Sequence, residues 1–325
     1  MAPYPALLLT AGLGTRLRPL SFVRAKPALP VAGEALVRRV LRWLARHGVC
    51  DVVLNLHHLP ESVCATVGDG SDLGLRARYS WEDPVLGSAG GPRHALPLLD
   101  ADRFFIVNGD TLTDLDPVVV SDAHRSAGAL VTMAVVPNEA PGRYGGVLMN
   151  AGGEVTGFVG RGSTKPSWHF VGVQLVEHAV FADLPDPEPA ESVGGVYPRL
   201  IRERPGSVRA VPVNASFSDI GTPAAYLATS LALADQAAEA TLSLPSILAG
   251  ARTTVAPSAR VVRTILWDDV EVGEDASLYE CVVADGVRVP PGVRWSRLAV
   301  VPAACCAPGA GDQRAGDLLL SPLDR

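Results

Sequence analysis

The sequence predicts an α/β protein. Its body is a Rossmann-like, mixed but mostly parallel sheet flanked by helices. A short C-terminal left-handed parallel β-helix of hexapeptide-like repeats follows it. Three observations predict this. Apolar runs of strand length, such as Leu7-Leu8-Leu9, Val52-Val53-Leu54 and Phe104-Phe105-Ile106-Val107, read as strands buried on both faces. Several such runs end in glycine or polar residues and lead into helical patterns, the order expected of a sheet with crossover helices. From about Leu242 the texture changes to an aliphatic–turn–small rhythm. The expected division is residues 1–240, the β-helix at 241–303, and a surface tail at 304–325 in which Leu318-Leu319-Leu320 is the segment able to dock.

The elements follow in order. Leu7–Leu9 is the first strand and breaks into the loop Ala11-Gly12-Leu13-Gly14-Thr15-Arg16. Leu36, Val37, Val40, Leu41 and Leu44 recur with helical spacing over 35–47, and Gly48 ends that helix. Residues 51–56 form the second strand, with His57-His58 at its carboxyl end, where local hydrogen bonding is the expected use. A short helix at 61–67 and a strand at 75–80 come next. The small-residue run Gly87-Ser88-Ala89-Gly90-Gly91 reads as a second loop leading into a helix around His94 to Leu99. Strands are expected at 104–107, 130–135, 147–149, 154–159, 170–176 and 208–213, with short helices at 61–67 and 196–201 and a longer one at 224–234. Thr222 and Pro223 suit the N-cap and first turn of the last helix.

Composition narrows the partners. With 48% apolar residues, 19% charged residues and a net charge of −6, the chain has no basic face for nucleic acid. No apolar run approaches the ~20 residues that span a bilayer. Five cysteines without metal-ligand spacing, Cys305-Cys306 among them, fit reduced thiols in a cytoplasmic protein.

The loop after the first strand carries the chemistry. Gly12 and Gly14 remove side chains where the backbone turns and comes close to something. Arg16, Arg18 and Lys26 place cations just beyond. Backbone N–H groups and cations at the carboxyl end of a first strand suit a polyphosphate; a tight turn with solvated arginines is the plainer alternative. It is not a P-loop, because Thr15-Arg16 follows Gly14 where Lys-Ser/Thr would be needed. Nor is it a dinucleotide fingerprint, because position 17 is Leu rather than a third glycine. Asp110, in Asn108-Gly109-Asp110-Thr111, follows a strand, where ligands of open α/β sheets bind. An aspartate there can hold Mg²⁺, which takes one or two carboxylates plus phosphate oxygens, or it can simply form a turn. Asp219, in Phe217-Ser218-Asp219-Ile220-Gly221-Thr222-Pro223, is a second such carboxylate.

The string Gly12-Leu13-Gly14-Thr15-Arg16-Leu17-Arg18-Pro19-Leu20 with Lys26-Pro27 resembles the signature of the sugar-1-phosphate nucleotidylyltransferases. The resemblance covers residues 5 to 235 in its motifs, with the repeat segment as a frequent companion. It implies an enzyme that joins a nucleoside triphosphate to a sugar 1-phosphate and releases pyrophosphate. It implies that Arg16 and Lys26 are catalytic, and that Ala11, Gly12, Gly14, Thr15, Glu82, Gly87 and Ser88 bind the nucleotide. Asp110 and Asp219 would be the Mg²⁺ carboxylates, and Tyr144, Gly145 and Gly172 would line the sugar-phosphate site. One departure stands out. Many members carry Glu-Lys-Pro where this chain has Phe158-Val159-Gly160-Arg161-Gly162-Ser163-Thr164-Lys165-Pro166, so either Arg161 or Lys165 supplies the phosphate contact. Leu86-Gly87-Ser88-Ala89-Gly90 with a repeat tail is similar to mannose-1-phosphate guanylyltransferases, with Ser88 for the usual Thr. Residues 55–110 also resemble uridylyltransferases acting on N-acetylmuramate 1-phosphate. The alternatives are therefore a uridylyltransferase for an N-acetylmuramate- or glucose-type sugar, or a non-catalytic regulatory homologue that binds a nucleotide sugar. A short β-helix buries each coil only against a neighbour. The rest of the chain, or a second copy in a homo-oligomer, would cover its end.

Overall fold

The computed structural model describes residues 4–241 and 247–324. The chain resolves into two compact units interleaved along the sequence. One comprises Met1–Gly12, Arg39–Pro60 and Val67–Ser218; the other comprises Leu13–Arg38, Glu61–Thr66 and Asp219–Arg325. The expected boundary near 240 falls beside residues 242–246, which lie outside the described residues.

The first unit is built on a nine-stranded sheet. Its strands are β1 (Ala6–Leu9), β2 (Asp51–Leu56), β3 (Arg76–Trp81), β4 (Arg103–Asn108), β5 (Val131–Pro137), β6 (Gly146–Met149), β7 (Val155–Val159), β8 (Trp168–Glu177) and β9 (Val208–Pro212). The order is β7-β6-β8-β4-β1-β2-β3, with β5 branching from β8 and β9 pairing with β5. The first four strands are mutually parallel, with β1 between β2 and β4. β8 runs antiparallel to β4 and β5 and slips register between Phe170 and Gln174. Leu7, Val53, Phe104, Ile106, Val131, Met133 and Val135 form its core with Phe181 and Tyr197. Their strands are apolar on consecutive residues because helices cover both faces of a parallel sheet.

Helices α1 (Leu36–Arg46) and α2 (Pro60–Val67) sit where the spacing places them. α3 (Gly87–Leu99) is longer than expected. The small-residue run forms its first turns instead of a loop. α4 (Pro117–Ala127) is an element that the sequence pattern does not predict, yet its ends are well marked. Asp116 accepts from the Val118 N–H at 2.9 Å, Pro117 opens the first turn, and Gly128 closes it in the left-handed region. α5 (Tyr197–Glu203) and α6 (Pro223–Thr241) complete the helices used below.

The second unit contains three ladders of short parallel strands. The first holds β10 (Ile247–Ala249), β13 (Thr264–Leu266), β16 (Val282–Val283) and β19 (Leu298–Pro302). The second holds β11 (Thr254–Val255), β14 (Glu271–Val272) and β17 (Arg288–Val289). The third holds β12 (Arg260–Val262), β15 (Ser277–Tyr279) and β18 (Arg294–Ser296). Successive coils are related by 17 residues, as the hydrogen bonds Asp275 to Ser258 and Cys281 to Thr264 show. This is one residue short of three hexads. The missing residue is at the corner between the third and first ladders. There single residues Arg263, Glu280 and Arg297 turn the chain with φ of 48°, 50° and 55°. Val261, Leu278, Val272, Val289, Val283 and Val300 stack inside.

The segment expected as a surface tail docks at its end, through the Leu318-Leu319-Leu320 run singled out as able to dock. β20 (Gln313–Ala315) and β21 (Leu318–Pro322) form a hairpin, and β21 pairs antiparallel with β19. Leu318, Leu319 and Leu320 are buried in this register, which covers the edge that β19 would otherwise expose. The described residues contain no helix long and apolar enough to cross a membrane.

Candidate active site

The carboxyl ends of β1, β2 and β3 are tied together by one buried polar network. The Thr10 N–H donates to Asn55 Oδ1 at 2.6 Å, and the Ala11 N–H donates to the same oxygen at 3.3 Å. The Thr10 hydroxyl donates to the Asn55 carbonyl. Asn55 Nδ2 donates to Glu82 Oε1 at 2.7 Å, and the Leu86 N–H donates to Glu82 Oε2 at 2.8 Å. Glu82 is 4% exposed, and both its oxygens accept from the protein. The family resemblance implies that Glu82 binds the nucleotide. The structure gives it the fixing of the loops after β1 and β3. Asn55 was missed as a functional residue; its signal is an amide inside the otherwise apolar Asp51–Leu56 strand.

Gly87 and Ser88 are also engaged by protein. A Cβ on Gly87 would lie 2.8 Å from the Ala190 carbonyl, and one on Gly90 would lie 2.4 Å from the Glu188 carbonyl. The Ser88 hydroxyl donates to Glu191 at 2.6 Å and accepts from the Ser192 N–H at 2.9 Å. The close approach that these small residues permit is therefore made by the 188–192 segment of the chain itself.

At the end of β4 the glycine of Gly109-Asp110 has a clear cause. A Cβ there would sit 2.6 Å from the Leu9 carbonyl, whose oxygen accepts from the Gly109 N–H at 3.0 Å. The tight contact of two strand ends sets Asp110, which is half-buried, just past the sheet. Gly172, at φ +85°, lies opposite; a Cβ there would be 3.0 Å from Asn108 and from Thr111 Oγ1. The structure thus brings Gly172 to the Asp110 turn.

Farther along the sheet, His169 is flanked by Tyr144 and Phe217, with ring centroids 4.2 Å and 4.6 Å away. The Arg143 guanidinium lies 5.0 Å from the Tyr144 ring. Gly145 runs close to β7, since a Cβ on it would meet the Val159 carbonyl at 3.0 Å. Arg161 and Lys165 stand exposed on the turn after β7. That turn meets the Tyr144 loop through the Gly162 N–H, which donates to the Pro141 carbonyl at 2.8 Å.

The glycine loop passes from the first unit to the second between Gly12 and Leu13. Gly12 is exposed, its φ is not in the left-handed region, and a Cβ on it would meet nothing within 4 Å. Neither backbone geometry nor packing calls for glycine there. Gly14 differs: φ is +59°, and a Cβ would press on Ser21 at 3.2 Å and Lys26 at 3.4 Å. The Ser21 hydroxyl donates to the Gly14 carbonyl at 2.9 Å and closes the turn. Thr15 and Arg16 are exposed and Lys26 is half-buried. The Arg16 guanidinium lies along Gly221, where a Cβ would be 2.8 Å from Nη1. Gly221 therefore makes room for Arg16 two residues beyond Asp219. So the second unit brings together Gly14 with Lys26, and Arg16 with the Asp219 turn.

An α/β sheet with a glycine loop after its first strand and carboxylates after later ones is the frame of a nucleotidyl transferase. The chain belongs to that family, whose model matches residues 5–236. It is 30% identical over 298 residues to a mannose-1-phosphate guanylyltransferase of Mycobacterium tuberculosis, an alignment covering 88% of this chain and 81% of that one. An N-acetylmuramate alpha-1-phosphate uridylyltransferase of Neisseria meningitidis is 43% identical over 112 residues, 34% of this chain and 48% of that one. Among solved structures, HddC from Yersinia pseudotuberculosis complexed with GMP-PN shares the fold, with a TM-score of 0.61 at 23% identity over 71% of this chain and 99% of that one.

Proposed function

We propose that the chain joins a nucleoside triphosphate to a sugar 1-phosphate and releases pyrophosphate, with GTP and mannose 1-phosphate as its pair. The observation that carries the chemistry is Gly12. A glycine that neither φ nor packing requires, at a strand's carboxyl end and followed by Arg16 and Lys26, leaves bare backbone for a triphosphate. The choice of GTP and mannose rests on the relative that matches both the sheet and the coiled segment. The uridylyltransferase match spans only a third of the chain.

In this reading a sugar phosphate oxygen attacks the α-phosphorus. The nucleophile is already an anion, so no general base is needed, and catalysis rests on positioning and charge neutralisation. Arg16 holds the β- and γ-phosphates and stabilises departing pyrophosphate. Lys26 neutralises the charge that builds at the α-phosphate. Ala11, Gly12, Gly14 and Thr15 face the triphosphate, while Glu82, Gly87 and Ser88 shape the loops behind it. Tyr144, Gly145 and the turn bearing Arg161 and Lys165 serve the sugar phosphate, either cation supplying the contact; Gly162, beside Arg161, bonds that turn to the Tyr144 loop.

Magnesium takes oxygen donors and completes its shell with water or phosphate oxygens. Asp110 and Asp219 are donors of that kind. Among the described residues no cluster of three or more His, Cys, Asp or Glu forms a protein-only cage. Two carboxylates suit a magnesium ion whose shell substrate oxygens complete. Asp110 and Asp219 would hold it, and bound there it would supply charge neutralisation at the reacting phosphates.

The same reading takes residues up to about 240 as the catalytic domain and the 17-residue coils as a left-handed β-helix. In this reading the protein works in the cytoplasm, in keeping with its five free cysteines. The test is a screen of GTP, UTP, dTTP, CTP and ATP against several sugar 1-phosphates, read by pyrophosphate release. GTP with mannose 1-phosphate is expected to lead. Turnover with UTP instead overturns the choice of base, and no turnover with any pair replaces the enzyme by a nucleotide-sugar binder. In the active pair, Arg16→Ala should lower kcat by roughly a hundred- to a thousand-fold, as loss of one preorganised charge donor does.

A further inference from the structure

Within Leu13–Arg38, the stretch that carries Arg16 and Lys26 is made of single turns, at Thr15–Leu17, Leu20–Phe22 and Lys26–Ala28. Isolated turns of this kind hold their shape poorly without outside contacts. The contacts come from the parallel coils of the same unit. Arg24 Nε donates to Asp285 Oδ2 at 2.6 Å, and its Nη2 donates to Asp285 Oδ1 at 2.7 Å and to Asp268 Oδ2 at 2.6 Å. Asp268 and Asp285 occupy the same place on successive coils, and the coil backbone fixes both. The Ala251 N–H donates to Asp268 at 2.7 Å, and the Asp268 N–H donates to Asp285 at 3.0 Å. The guanidinium also lies 5.4 Å from the ring of Trp267, which is fully buried. Trp267 Nε1 donates to the Tyr226 hydroxyl at 3.0 Å, and that hydroxyl donates to the Pro30 carbonyl at 2.5 Å. Between these anchors the Ala25 N–H donates to Ser62 Oγ at 3.1 Å. The chain is therefore gripped at Arg24, Ala25 and Pro30, and Lys26 stands between the grips.

We infer that Arg24 is a positioning residue for Lys26, and that Asp268 and Asp285 make the coiled segment a working part of the triphosphate loop. The planar guanidinium is suited to this because it satisfies two carboxylates in fixed directions while stacking on an indole. A displacement of about 1 Å at a catalytic group can cost on the order of a hundredfold in rate. The inference rests on the reading of Lys26 given above.

The test uses the full chain with Arg24→Met, Asp285→Asn and the double change Asp268→Asn with Asp285→Asn. Glu280→Gln is the control. It removes a carboxylate that bonds Arg297 at 2.6 Å on another corner of the same coils. Two quantities are read: hydrogen–deuterium exchange of peptides from residues 13–38, and kcat and KM with GTP and mannose 1-phosphate. Exchange in that segment should quicken at least tenfold in the double variant and not in the control. The kcat should fall at least tenfold, while KM for mannose 1-phosphate stays within twofold. Asp285→Asn keeps the question answerable if Arg24→Met does not fold. Unchanged exchange overturns the inference. So does faster exchange with full kcat while Lys26→Ala is inactive, because the loop then tolerates its release. If Lys26→Ala keeps full turnover, the reading of Lys26 is what falls, and exchange alone decides whether the coils hold the loop.

Discussion

Glu82→Gln separates a residue that supports the loops from one that reads the nucleotide. Both oxygens of Glu82 face donors, Asn55 Nδ2 at 2.7 Å and the Leu86 N–H at 2.8 Å. A glutamine has the same shape but only one accepting oxygen. Its amide nitrogen would point at one of the two donors. One charge-assisted bond is lost and a buried N–H is left facing another, a cost of about 2–3 kcal/mol. Glu82→Ala loses both bonds and costs about 3–6 kcal/mol. At about 1.5 °C per kcal/mol for 325 residues, the glutamine variant should melt about 3–5 °C lower. The assays are thermal melting without ligand, and GTP binding followed by titration calorimetry below the transition. Binding should weaken modestly, since only loop placement changes. A variant that melts with the wild type but no longer binds GTP would refute the reasoning and return Glu82 to direct contact with the nucleotide.

Three further outcomes follow from particular contacts. Gly109→Ala places a methyl 2.6 Å from the Leu9 carbonyl, which is backbone and cannot turn aside; it should cost about 1–3 kcal/mol by urea unfolding and lower turnover at least tenfold by moving Asp110. His124 is buried against Thr132 and Glu177, and burial, only partly offset by Glu177, pushes its pKa below the usual value. The unfolded chain therefore binds a proton at a pH where the folded one does not, so stability falls as pH drops from about 6.5 through the lowered value, and His124→Gln should flatten that slope in urea titrations across pH 5–7. Leu319→Ala should cost about 2–5 kcal/mol by urea unfolding, because its fully buried side chain belongs to the hairpin on β19; a neutral effect would restore the surface tail.

Much of this fold is legible because parallel strands announce themselves. Leu7–Leu9, Val52–Leu54 and Phe104–Val107 are apolar on consecutive residues, and no other short element asks for that. The helix at 117–127 is harder to read, because Val118-Val119-Val120 has the texture of a strand and only Asp116, Pro117 and Gly128 betray the caps. The run Gly87–Gly91 looks like a loop because glycine and serine favour one in isolation; contacts with 188–192, a hundred residues away, make it a helix. The coil period is hidden for a related reason. Hexads are visible in the valines, while the missing residue falls at a corner of Arg263, Glu280 and Arg297, where nothing apolar marks it. At the site, types and order were readable, since glycines, cations and aspartates stand at strand ends. Which of them face outward was not. Burial of Glu82 and exposure of Gly12 are decided by Asn55 and by empty space, and neither has a local signature.

The single-residue corners of the coils carry a charge pattern. Asp235, Arg263, Glu280, Arg297 and Asp324 pair in succession, at 4.0, 3.5, 2.6 and 2.7 Å, as a column whose sign alternates at every step. Deleting one coil would bring Arg263 against Arg297, and duplicating one would set like charges face to face. Changing the number of coils by one therefore loses favourable pairs at these exposed positions unless a corner residue changes too. Lengthening by two coils preserves the alternation. The ends are acidic on both sides, so electrostatics favours one parity of coil number, by about 0.2–1 kcal/mol per exposed pair.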